Sequence, residues 1–285
     1  QRIQNLIQEQ LFDRRVLWPD SLVQLNPTYP KTQSVEQLVA VGMLHPLCAQ
    51  IFCQQGRSIE LYQHQMEAIE RAQTGRPYVV TSGTGSGKSL AYFIPIFDAI
   101  LRKDPQRHTV CAIIVYPMNA LVNSQHETLQ NLAEEYQRLT GKELPVRFGR
   151  YTGQERGSEK AEQQRRPPHI LLTNYVMLEY MLVRQQERAF VDQATPGLQF
   201  LVMDELHTYR GRQGADVAML IRRLRQRCGN PQLQCIGTSA TMVTGTSRTE
   251  RRKAVGEFAS KLFGVHVEPE NIIEETLERV IPRTA

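Results

Sequence analysis

Short apolar runs recur along the chain at Tyr78-Val79-Val80, Val110 to Val115, Ile170-Leu171-Leu172, Phe200 to Met203 and Leu233 to Ile236. Such runs are too short for core helices and read as strands, the continuous ones buried on both faces as in a parallel sheet. Longer segments between them carry a helical period. Ser89 to Ile96 is apolar, as a helix packed on a sheet is, and Pro95 is expected to kink or end its first segment. In Asp216 to Arg225, Val217, Leu220, Ile221 and Leu224 share one face. In Ala254 to Phe263, Val255, Phe258, Ala259 and Leu262 do, and Gly264 ends the helix. Val265-His266-Val267 predicts a last strand, and the acidic stretch Glu268 to Glu278 leads away from the domain. Strands alternating with helices predict an α/β fold with a mostly parallel central sheet flanked by helices.

The first 58 residues fall outside this pattern and predict a small helical extension. Ile3, Leu6, Ile7 and Leu11 have helical spacing, Pro19, Pro27 and Pro30 break the chain, and Ser34 caps a second helix through Ala40. The expected division is 1–58 for the extension, 59–270 for the main domain and 271–285 for a linker. Composition adds little. A hydrophobic fraction of 41% supports a packed core, and a net charge of +5 is compatible with nucleic acid but weak evidence alone. The arginines at 222, 223, 225 and 227, and the basic run Arg248, Arg251, Arg252 and Lys253, are either solvated helix faces or a binding stripe. Five cysteines show no zinc spacing. That cysteine usage fits a reducing, cytoplasmic setting, and no signal peptide or apolar run of transmembrane length is seen, so no membrane partner is expected.

The chemistry starts after the first of these strands. Ser82-Gly83-Thr84-Gly85-Ser86-Gly87-Lys88-Ser89 follows it and precedes a helix. Glycines there let successive N–H groups turn toward an anion, and the helix adds the positive end of its dipole. In such a phosphate-binding loop Lys88 reaches the β- and γ-phosphates and Ser89 holds Mg²⁺. Ser82 stands where the usual pattern has glycine. Asp204 and Glu205 follow the strand ending at Met203. They are either a helix cap or, paired with the loop, a Mg²⁺ ligand and a group that orients or deprotonates the attacking water. Thr238-Ser239-Ala240-Thr241 follows the strand ending at Ile236, where Ser239 and Thr241 can hydrogen-bond the acidic motif.

These three motifs, in this order, resemble the first RecA-like domain of a superfamily 2 helicase of the DEAD/DEAH-box type: Ser-Gly-Thr-Gly-Ser-Gly-Lys-Ser, Asp-Glu-Leu-His at 204–207 and Thr-Ser-Ala-Thr at 238–241. Leu206 replaces the family's usual Ala. The resemblance implies ATP with Mg²⁺, catalysis through Lys88, Asp204 and Glu205, and coupling through His207, Ser239 and Thr241. It makes Gln65, within Leu61-Tyr62-Gln63-His64-Gln65, the adenine-reading residue, with Tyr62 packed nearby. Pro117, Asn119 and Asn123 resemble motif Ia, Thr173 and Asn174 motif Ic, and Thr152 and Gly153 lie where motif Ib contacts fall. These implied nucleic-acid contacts are backbone contacts that carry no sequence code. Thr173 and Asn174 also read as a plain helix cap. The stretch 208–225 is similar to the YprA-like branch of DNA helicases, which favours DNA over RNA and implies a defence or repair setting with its protein partners. Family members need a second RecA-like domain, for which the chain after residue 241 leaves no room. The sequence, which starts at Gln1, is therefore expected to be the first motor half of a larger protein, nearly inactive alone. A non-motor ATP-gated clamp or recruitment module, or an RNA helicase, are the alternatives.

Overall fold

The computed structural model describes residues 2–8, 28–83, 85–103, 109–155, 157–240 and 247–278. The chain divides into two compact units. One comprises Gln1–Thr28 with Leu277–Ala285 and contains helix α1 (Arg2–Ile7); Leu11, Pro19 and Pro27 lie outside the described residues. The other, Tyr29–Thr276, carries everything discussed below.

The second unit opens with β1 (Lys31–Ser34), α2 (Val35–Ala40), α3 (Leu47–Ile51), the hairpin β2 (Cys53–Gln54) and β3 (Arg57–Ser58), β4 (Glu60–Tyr62) and α4 (Gln63–Gln73). Ser34 caps α2 as its sequence predicts, its hydroxyl accepting from Gln37 N–H while Gln37 reaches back to Ser34 N–H. Then follow β5 (Tyr78–Thr81), α5 (Leu90–Arg102), β6 (Ala112–Tyr116), α6 (Asn119–Thr140), β7 (Phe148–Tyr151), α7 (Gly157–Arg165), β8 (Ile170–Asn174), α8 (Tyr175–Val183) and α9 (Gln185–Ala194). The chain continues through β9 (Phe200–Met203), α10 (Gly211–Cys228), β10 (Gln234–Ser239), α11 (Arg248–Phe263) and β11 (Ile272–Glu274).

Seven strands form the central sheet in the order β11-β5-β10-β9-β6-β8-β7, each pair parallel. Alternate strand residues feed two cores. Tyr78, Val80, Ile114, Leu172 and Val202 pack with α2 to α6 on one face. Val79, Val115, Leu171, Leu201 and Met203 pack with α8 to α11 on the other. Burial on both sides explains the unbroken apolar runs, because no strand face is left for polar residues.

Pro95 neither ends nor breaks α5, which runs through it to Arg102. Proline lacks the N–H that would bond the carbonyl four residues back, which here belongs to Ala91. The buried Tyr78 hydroxyl donates to that carbonyl at 2.8 Å, so the lost bond is replaced from β5. A second expectation needs correcting. Val265-His266-Val267 is not a strand: beyond Gly264, which is left-handed at φ 68°, Val267 N–H turns back to Ser260 Oγ. The last strand is Ile272–Glu274, inside the stretch read as an acidic exit, and it pairs with β5. Its two isoleucines are buried and outweigh the flanking charge.

Several arginines of the basic runs make ion pairs within the unit. Arg227 pairs with Asp192, Arg223 with Glu179, and Arg248, Arg251 and Arg252 all meet Glu274. Cys48, Cys111 and Cys235 are buried core residues, and burial raises the thiols of Cys48 and Cys111 to about 12. No helix among the described residues is long and apolar enough to cross a membrane.

Candidate functional site

The loop after β5 lies at the C-terminal edge of the sheet, where open α/β sheets gather ligands. Gly85 and Gly87 have φ of +79° and +67°, conformations that favour glycine. A Cβ on Gly87 would also stand 2.7 Å from Gln65 Nε2. Ser82 needs no glycine conformation; its buried hydroxyl meets Ser86 Oγ at 2.6 Å, and its N–H donates to Ser239 O at 3.1 Å. The Lys88 ammonium donates to the carbonyls of Ser82 (2.9 Å) and Gly83 (3.0 Å). The Ser89 hydroxyl makes no capping bond at the start of α5. Thr84 lies outside the described residues.

Gln65 is almost fully buried against this loop. Its Oε1 accepts Tyr62 N–H at 2.9 Å and its Nε2 donates to Gly87 O at 2.9 Å. Tyr62 stacks on His64, and Tyr29 leans on both rings. His64 Nε2 lies 3.0 Å from Ser86 O. Because that carbonyl only accepts, Nε2 carries the proton.

The acidic pair sits two strands away, at the end of β9. Asp204 is half-buried, and desolvation raises its carboxyl to about 6 despite opposing help from the Thr238 hydroxyl, which donates to Oδ1, and from Lys88. Glu205 adopts a left-handed conformation at φ 52°, ψ 55°, uncommon outside glycine. Its side chain makes no hydrogen bond that caps the following turn. Its N–H donates to Thr238 Oγ1 at 3.2 Å. Its Oε2 is buried and takes no hydrogen bond. His207 Nδ1 is 3.2 Å from that oxygen and meets Ser239 Oγ at 3.1 Å. Ser239 is thus brought onto the acidic motif as the sequence suggests; Thr241 lies outside the described residues. Thr238, not singled out from the sequence, touches both acidic residues.

Do these residues fit a nucleotide with magnesium? No group of three or more His, Cys, Asp or Glu among the described residues could cage a metal. Magnesium usually takes one or two carboxylates and completes its shell with water and phosphate oxygens, so Asp204 with Ser89 is a sufficient protein contribution. A desolvated carboxyl raised to about 6 is a group that gains from a nearby cation. The donor set fits.

The candidate nucleic-acid residues gather at the ends of β6, β8 and β7. Asn174 Nδ2 donates to Asn119 Oδ1 at 2.5 Å while its Oδ1 caps α8 by accepting Met177 N–H, so the helix-cap reading of Asn174 holds. Arg150 donates to Asn123 Oδ1 at 2.9 Å. Thr173 is fully buried and bonds Tyr151 O. Pro117 precedes Met118, whose apolar side chain is exposed just before α6. Thr152 and Gly153 are not bare donors: both N–H groups go to Glu155 Oε2 at 2.8 Å. The sequence offered no sign of Glu155 beyond its closeness to the Thr-Gly turn.

A seven-stranded parallel sheet bearing a phosphate-type loop and an acidic motif on its C-terminal edge is a RecA-like helicase core. The chain belongs to the DEAD/DEAH box helicase family, whose profile matches residues 62–249. It is 31% identical over 187 residues to the ATP-dependent helicase YprA of Bacillus subtilis, covering 64% of this chain and 23% of that protein. It is 28% identical over 312 residues to the Druantia protein DruE of Escherichia coli, covering 67% and 17%. Among solved structures, the helicase MrfA bound to DNA superposes with a TM-score of 0.70 at 25% identity, over 88% of this chain and 31% of that one. The helicase Lhr of Mycobacterium smegmatis bound to ssDNA and AMP-PNP gives 0.56 at 25%, over 66% and 23%. The chain therefore spans less than a quarter of the length of the two curated relatives.

Proposed function

We propose that this chain is the first motor domain of an ATP-dependent DNA helicase or translocase, with ATP and Mg²⁺ bound between the loop at 82–89 and the acidic motif. The observation that carries this reading is the convergence of Lys88, Asp204, Glu205 and Thr238 at the ends of neighbouring strands. Lys88 exchanges its two loop carbonyls for phosphate oxygens. Asp204 and Ser89 would hold magnesium, which neutralises phosphate charge when bound. The Glu205 carboxylate, with His207 beside it, accepts a hydrogen bond from the attacking water and orients it. His207, between Glu205 and Ser239, links this site to the loop after β10. Gln65 and Tyr62 line the base end. The asparagines at 119, 123 and 174, with Pro117, Thr152, Gly153 and Thr173, form the edge that tracks one strand. That strand contact is sequence-independent and salt-sensitive.

DNA is favoured because MrfA and Lhr are known bound to it. A second RecA-like domain of the same polypeptide completes the site, and a place in phage defence or DNA repair belongs to the same proposal. The test uses the full-length protein: Lys88→Ala and Glu205→Gln each abolish nucleic-acid-stimulated ATPase. Undiminished stimulation in both variants sinks the reading. Strand displacement separates a motor from an ATP-gated clamp, and comparing stimulation by single-stranded DNA and RNA fixes the substrate.

A further inference from the structure

We infer that Glu275, in the last residues of the main unit, is a positioning residue for the phosphate loop, and that it ties the nucleotide site to the end of β11. Gly83 is the residue it holds. The Gly83 carbonyl takes bonds from Lys88 (3.0 Å) and the Ser86 hydroxyl (2.9 Å). The Gly83 N–H donates to Glu275 Oε2 at 2.7 Å. Both sides of one peptide residue are thus fixed, one by the loop lysine and the other by a carboxylate that is 192 positions away.

Glu275 is itself well anchored. It follows β11 directly, and its own N–H donates to Thr81 O at 3.0 Å, extending the pairing with β5. Thr81 Oγ1 donates to Ile273 O at 3.1 Å. Tyr29 sets its hydroxyl against the same carboxylate. A Cβ on Gly83 would find Tyr29 Oη at 3.4 Å and Glu275 Oε2 at 3.5 Å. Tyr29 in turn packs on Tyr62 and His64, and His64 reaches Ser86 O. The start of the loop is therefore clamped between the first and last segments of the unit, which ends at Thr276.

This inference rests on the proposed nucleotide site. When Lys88 leaves Gly83 O for a phosphate, Gly83 is held by Glu275 and the Ser86 hydroxyl. Occupancy of the loop then biases the set of Glu275 and the end of β11, and by reciprocity whatever shifts that strand end changes nucleotide affinity.

The test compares Glu275→Ala, Glu275→Gln and Lys88→Ala in the full-length protein, with ADP and a non-hydrolysable ATP analogue as probes. Loss of one hydrogen bond of ordinary strength predicts that Glu275→Ala raises Kd and KM roughly three- to tenfold, with kcat changed less than about twofold. Glu275→Gln, whose amide oxygen still accepts from Gly83, restores affinity to within about twofold. In hydrogen exchange, the analogue alters protection of Ile272 to Glu275 in the wild type and not in Glu275→Ala. The inference is overturned if Glu275→Ala leaves affinity unchanged, or if Glu275→Gln is as impaired as the alanine variant. Lys88→Ala separates the two readings. If it loses nucleotide while Glu275→Ala binds normally, only the clamp fails; if Lys88→Ala also binds normally, the site itself is misassigned.

Discussion

Asp204 is a carboxylate that folding desolvates at a cost, and replacing it with asparagine makes the protein more stable. Its carboxyl is raised to about 6 from an ordinary value of 3.8, chiefly by desolvation. In the native state it therefore binds a proton more tightly than in the unfolded chain. Between those two values the native state holds more protons, so stability falls as pH rises through the window, and above about 6 the whole penalty is present. A gap of about two pH units at about 1.4 kcal/mol each gives a penalty of about 3 kcal/mol. Asparagine removes the charge and keeps an oxygen for the Thr238 hydroxyl to donate to. The assay is thermal and urea unfolding of wild type and Asp204→Asn across pH 4 to 8, without magnesium or nucleotide. The expected result is a variant more stable by up to about 3 kcal/mol at pH 7.5, or about 5 to 10 °C for a domain of this size, with the difference vanishing toward pH 4. The same variant loses magnesium-dependent nucleotide binding. Equal stability at pH 7.5, or an advantage that persists unchanged at pH 4, would refute the desolvation argument.

Two further outcomes are expected. Tyr78→Phe leaves the Ala91 carbonyl without a donor in the core and costs about 1 to 3 kcal/mol by urea unfolding; adding Pro95→Ala restores the helical N–H and recovers most of the loss, whereas simple additivity in the double variant argues against the link. Ser239→Ala removes one of the two groups that His207 Nδ1 meets while leaving Asp204, Glu205 and Lys88 in place, so on the proposed function the full-length protein keeps most of its stimulated ATPase and loses strand displacement; equal loss of both activities contradicts a coupling role.

Much of the site was legible because each chemical motif is continuous and follows an apolar strand. Tyr78-Val79-Val80 announces the loop with Lys88, and Phe200 to Met203 announces Asp204 and Glu205. Parallel strands end on the same edge, so reading them as parallel already brought those groups together. The clash at Gly87 and the left-handed Glu205 were not legible, because both depend on a neighbour or a dihedral that composition does not encode. The final strand was misplaced for a related reason. Val265-His266-Val267 has the local strand pattern, yet its backbone is spent on Ser260, while Ile272-Ile273 hides among carboxylates.

The sequence alone determined the fold class, the phosphate-type loop, the acidic pair and the order in which they occur, since strand burial and loop chemistry are local properties of short segments. Tertiary structure decided who holds those groups in place. Tyr78 replaces a bond that Pro95 removes, Thr238 meets both acidic residues, Glu155 takes the Thr152 and Gly153 amides, and Glu275 takes the amide of Gly83. A buried backbone donor or acceptor must find a partner. Nothing in the local sequence says which distant side chain will supply it.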